Sequence, residues 1–164
     1  MPFNKILAPT DFSEDSNHAL QYAEELARKF GSEMIVMHVA QALAPVTFSL
    51  DPGGSADPLA LETIGRIAEE QRLAAQRELD RIVHNLRDSG LRARSLLRVG
   101  AAFVEILTTA QSETADLIVM ATHGRSGLAH MLLGSVADRV VAKAPCPVLT
   151  VRHPDRKFRH PLDK

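Results

Sequence analysis

Short apolar runs alternate with stretches of helical periodicity along this chain, and that alternation leaves few folds open. Phe3 to Ala8 reads as a buried strand, ended by Pro9-Thr10-Asp11. Ser13 stands where it can cap a helix. Ala19, Leu20, Ala23, Leu26, Ala27 and Phe30 then recur at helical spacing until Gly31. Met34 to Val39 is a second apolar strand. Residues 61–89 make a long amphipathic helix, with Ile64, Ala68, Ala75, Leu79, Ile82 and Leu86 on one face and Gly90 at its end. Leu91 to Val99 alternates apolar residues with Arg92, Arg94 and Arg98, the pattern of a solvated strand near a sheet edge. Phe103, Ile106, Leu107 and Ala110 mark a further helix. Ala115 to Ala121 holds Leu-Ile-Val-Met, the strongest central-strand signal in the chain. A helix from near Ser135 to about Lys143 is broken by Pro145-Cys146-Pro147, and Val148 to Val151 is the last strand. The order β-α-β-α-β-α-β-α-β predicts an α/β domain whose parallel sheet carries helices on both faces.

Composition removes several function classes. The 164 residues suit one domain, and 45% apolar with 24% charged residues is a globular balance. The single cysteine, Cys146, rules out an internal disulfide and a multi-cysteine zinc site, and it suits a reducing compartment. No apolar run approaches the ~20 residues that span a bilayer. The opening Met1-Pro2-Phe3-Asn4-Lys5 lacks the regions of a signal peptide, so a cytoplasmic chain without a membrane partner is expected. A net charge of −1, no Trp and seven aromatics give neither an electrostatic drive nor a stacking platform for nucleic acid. Two segments depart from the average. Residues 152–164 carry five Lys/Arg against two Asp, so a domain over 1–152 and a flexible basic tail over 153–164 are expected. Residues 41–60, punctured by Pro45, Pro52, Gly53, Gly54 and Pro58, read as a long loop or, equally, a disordered insertion.

Ligands of open parallel sheets bind beyond the carboxyl ends of the strands, where the strand order reverses. Two such ends stand out: Pro9-Thr10-Asp11 after strand one, and Thr122 to Ser135 after strand four. The second follows a buried strand, contains Gly124, Gly127 and Gly134, and leads into a helix at Ser135. Free amides and the positive end of a helix form an anion site, and glycine lets the backbone approach a phosphate. Ser126 and Ser135 can add hydroxyls, Arg125 charge and His123 a donor. Neither G-x-x-x-x-G-K-[ST] nor G-x-G-x-x-G occurs in the chain.

These residues resemble the universal stress protein family. The mark of its nucleotide-binding branch is Gly, two residues, Gly, nine residues, Gly, then Ser or Thr. Gly124 and Gly134-Ser135 match, and Ala121 stands in place of the first glycine. Lys5 to Ser13, Met37-His38-Val39 and Cys146-Pro147-Val148-Leu149 are also similar, so the resemblance covers about residues 3–152. It implies a doubly wound five-stranded parallel sheet in the order 3-2-1-4-5 and a homodimer through strand five, residues 147–152. It also implies ATP, with or without Mg, as the ligand. The residues matching Pro9, Asp11 and Val39 would face adenine and ribose, and those matching Gly124, Gly134 and Ser135 would hold the phosphates. Thr10, Ala121, His123, Arg125 and Val136 join them as candidate nucleotide-binding residues. Ala121 adds only a methyl, but at a left-handed position it would cost about 1 kcal/mol or more.

Simpler roles compete with these. Asp11 can cap the first helix together with Ser13, His123 can be a loop histidine, and His130 can pack beside Met131 and Leu132. Cys146 between two prolines suits a small packed residue rather than a nucleophile, and no His spacing suits a metal. The leading expectation is an ATP-binding regulatory or protective stress protein with at most slow hydrolysis and an unidentified regulatory protein partner. The alternative is a family member that binds no nucleotide and acts through protein contacts. A related adenylating or ATP-pyrophosphatase enzyme ranks last, because neither S-G-G-x-D-S nor H-I-G-H occurs.

Overall fold

A computed structural model describes residues 3–41, 58–124 and 134–154. Within them the elements alternate as expected: β1 (Lys5–Pro9), α1 (Glu14–Phe30), β2 (Glu33–Ala40), α2 (Pro58–Asp88), β3 (Arg92–Val99), α3 (Ala102–Ser112), β4 (Leu117–Ala121), α4 (Ser135–Lys143) and β5 (Val148–Val151). The five strands form one sheet in the order β3-β2-β1-β4-β5, and every pairing is parallel. The order reverses between β1 and β4, so the switch point lies there.

Local signals set the element ends. Ser13 caps α1, its hydroxyl accepting from Ser16 N at 3.2 Å. Gly31 closes α1 at φ 67°, a left-handed position that favours glycine. One boundary corrects the sequence reading. Pro58 opens α2, so residues 58–60 are helix rather than loop. Proline fits a first helical turn because the amide it lacks has no intrahelical partner there. The rest of the expected loop, 42–57, lies outside the described residues, as does the tail from 155 onward.

Two apolar layers sandwich the sheet. One buries Ile6, Ala8, Met34, Val36, Leu117 and Val119 against α1 and α2, through Ala19, Ala23, Ala27, Leu79 and Val83. The other buries Leu7, Ile35, Met37, Ile118 and Met120 against α3 and α4, through Ile106, Ala110, Ala137 and Val140. All five residues of β4 are buried, as its continuous apolar run requires of a two-sided strand. On the edge strand β3, Arg92 and Arg94 are tied into the fold. Arg94 bridges Glu33 at 2.8 Å and Glu113 at 2.5 Å, and Arg92 donates to Gly31 O.

Pro9 shapes the switch point. Thr10 N donates to Met37 O at 2.8 Å, so residue 10 faces β2 and, by alternation, the amide position of Pro9 faces β4. Proline has no N–H to give. Pairing of β1 with β4 stops at Leu7 and Ile118, whereas β1 follows β2 to Pro9 and β4 follows β5 to Ala121. Hydrogen-bonded pairing of the two central strands therefore ends short of their carboxyl ends, because Pro9 has no N–H to give, and the switch-point crevice begins there.

Candidate functional site

The turn after β1 supplies one wall of this crevice. Pro9 is half-buried and Thr10 is buried. The Thr10 hydroxyl accepts from Phe12 N at 3.0 Å and lies 3.0 Å from Ser16 Oγ, which ties the turn to α1. One carboxylate oxygen of Asp11 accepts from Ser13 N at 3.1 Å and from Ser13 Oγ at 2.5 Å. Asp11 thus braces the cap residue Ser13 through Oδ1, while Ser13 itself caps α1. The other oxygen points across the crevice, where a Cβ on Gly124 would lie 2.4 Å from it. The two strand ends singled out in the sequence meet at this contact.

The opposite wall follows β4. Ala121 is the last residue of that strand, buried and paired with Val151. Among the described non-glycine residues only Phe12 and Thr114 have positive φ, so the alanine carries no left-handed strain. Thr122 and His123 are buried, with Thr122 Oγ1 3.0 Å from His123 Nδ1. Gly134 is the N-cap of α4 and donates its amide to Thr122 O at 2.7 Å, drawing the start of α4 back onto the end of β4. A Cβ there would meet the same carbonyl at 3.1 Å. A side chain at Gly124 would displace the Asp11 carboxylate, and one at Gly134 would press on the Thr122 carbonyl. Gly134 has no side chain to bond the first-turn amides of α4, which opens with exposed Ser135 and half-buried Val136. Such an end favours an anion. Arg125, with Ser126, Gly127 and His130, lies outside the described residues.

On the β2 side, Val39 is half-buried and packs on the α3–α4 layer. Beside it stands a pair that the sequence reading did not single out. The Phe12 and His38 rings stack at 4.4 Å with 28° between their planes, and Phe12 holds φ 64°. Phe is no turn residue by composition, so only its place in the Asp-Phe-Ser turn hinted at this.

Doubly wound α/β domains as a class bind ligands beyond the strand carboxyl ends, and at the switch point of this one an acid stands on one side and a helix N-terminus on the other. The chain belongs to the universal stress protein family, whose profile matches residues 2–152. It is 34% identical to universal stress protein MJ0531 of Methanocaldococcus jannaschii over 155 residues, 94% of this chain and 85% of that one. The solved structure of MJ0577, a universal stress protein from the same organism, has a TM-score of 0.74 at 30% identity, covering 94% of this chain and 99% of that one. A universal stress protein from Archaeoglobus fulgidus in complex with dAMP has a TM-score of 0.61 at 25% identity, covering 92% and 98%.

Proposed function

We propose that this chain is an adenine-nucleotide-binding regulatory or protective protein that takes ATP in the crevice between β1 and β4. The end of β1–β4 hydrogen bonding at Pro9, with Asp11 on one side of the switch point and the α4 amides on the other, supports the reading. Pro9, Thr10, Asp11 and Val39 form the nucleoside end, where Oδ2 of Asp11 accepts from ribose hydroxyls. Ser135 and Val136, at the positive end of α4, take the phosphates together with His123, Gly124 and Gly134. From the sequence, Arg125 is the candidate to add charge, with Mg accompanying the phosphates when it is present. The dAMP complex of the Archaeoglobus relative supports an adenine nucleotide. Ala121 has extended backbone and so carries no left-handed strain in place of the first glycine, which supports the reading.

The site offers binding groups, and we assign it slow hydrolysis at most, in a cytoplasmic protein that signals through a protein partner. Assembly follows from the edge strand β5. Ile118 N donates to Pro147 O and Thr122 N to Val151 O, so the odd residues face β4 and Val148 and Thr150 present their backbone groups outward. A second copy of β5, antiparallel about a two-fold axis, would satisfy them. Mass spectrometry of the purified protein, followed by calorimetric titration with ATP, tests the nucleotide reading. Carried-over adenine nucleotide, or saturable binding of ATP to the stripped protein, is expected. A nucleotide-free protein that gives no signal with ATP or AMP refutes it.

A further inference from the structure

We propose that His38 and Phe12 form a positioning unit that holds Asp11 toward the ligand; this rests on the nucleotide reading above. Three observations converge on the pair. Phe12 is a bulky residue at φ 64°, where an L side chain is rarely found. Strain of this kind persists only when the surroundings impose it, and it clusters at ligand sites. The surroundings here are the imidazole of His38, stacked on the phenyl ring at 4.4 Å, and the Thr10 hydroxyl, which accepts from Phe12 N. His38 also reaches back with Nδ1, 2.8 Å from the carbonyl of Thr10. Because a carbonyl only accepts, Nδ1 carries the proton.

That last bond replaces a rung of the sheet. Thr10 N bonds Met37 O, so a continuing β1 would offer Thr10 O to the amide of Val39. The side chain of His38 takes the carbonyl instead, and the main chain leaves the sheet at Asp11. With Thr10 pinned behind it and Phe12 pinned ahead of it, Asp11 has one orientation. Oδ1 is held by Ser13, and Oδ2 faces Gly124. His38 thus acts on the ligand through the turn.

The test uses His38→Phe, which keeps an aromatic face but no donor, and His38→Asn, which restores a donor near Nδ1 but no stack. Phe12→Gly removes both the strain and the ring. Two readouts are taken on the full chain: hydrogen exchange of the amides at positions 12 and 13 without nucleotide, and ATP affinity by calorimetry. Each variant should speed exchange at those amides while core amides stay protected. Each should also weaken ATP by about tenfold, the scale of one lost hydrogen bond to a charged group. In an Asp11→Ala background the same substitutions should leave ATP affinity unchanged, which a merely structural role would not produce. Unchanged exchange at positions 12 and 13 in all three variants overturns the positioning unit whether or not ATP binds. An equal loss of affinity with and without Asp11 also overturns it. Faster exchange in variants of a parent that binds no ATP supports the unit and refutes the nucleotide reading alone.

Discussion

Gly124→Ala adds one methyl at the point where the two lips of the crevice touch. The new Cβ would lie 2.4 Å from Asp11 Oδ2 and 3.3 Å from its Cγ. Non-bonded heavy atoms rest at roughly 3.5–4.0 Å, so the carboxylate must retreat by about 1 Å. Its other oxygen is bonded to Ser13, and Ser13 in turn caps α1. A disturbed cap costs about 1 kcal/mol and a charge-assisted hydrogen bond roughly 1.5–3 kcal/mol. Because the carboxylate can turn without leaving Ser13 entirely, a net loss of about 1–2 kcal/mol is expected. In a chain of this length that lowers Tm by roughly 2–8 °C. The backbone of Gly124 is not left-handed, so conformational strain adds nothing. Thermal and urea unfolding of Gly124→Ala, Asp11→Ala and the double variant close a cycle. With Asp11 gone the methyl has nothing to strike, so its cost should fall to within about 0.5 kcal/mol of zero. Gly65→Ala is the control, since a Cβ there meets nothing within 4 Å, and the helix should gain about 0.5–1 kcal/mol. A cost for Gly124→Ala that is the same with and without Asp11 refutes the reasoning.

Three further outcomes are expected. Pro9→Ala restores an amide facing β4; the new hydrogen bond and the lost rigidity of proline should leave stability within about 1 kcal/mol of the parent. The restored amide should exchange slowly and ATP should bind more weakly, and a freely exchanging amide at that position would show that Pro9 does not end the β1–β4 pairing. Thr150→Pro should abolish the dimer in light scattering while leaving a folded monomer, whereas Leu149→Pro strikes the β4 ladder and should destabilise the fold itself; a folded, dimeric Thr150→Pro protein counts against assembly through β5. Burial, helped by Asp116, raises the Cys146 thiol above its ordinary range. Its thiolate fraction at pH 8 is therefore lowered, and alkylation at that pH should be slower than in the unfolded chain and faster in Asp116→Asn; equal rates in all three would remove that cause.

Fold class and element order were legible in the residues because they are written in local periodicity. The buried run at β4, the glycine at 31, the cap at Ser13 and the proline break after Lys143 each act within a few residues of where they stand. The strand order was not legible that way. It entered through the family resemblance, and the sheet bears it out. Pro58 misled for a local reason, since proline marks a helix start as readily as a loop. Asp11 and Gly124 could be named from sequence as two strand ends, but their contact arises only when β1 and β4 become neighbours. The direction of the Pro9 amide position depends on which strand lies on each side, and no pattern within β1 contains that. The strained turn at Phe12 is likewise invisible in composition, because the ring that holds it comes from β2. Periodicity encodes which face of an element is buried; which side chains meet across the crevice depends on contacts between segments far apart in the chain, and those exist only once the sheet has formed.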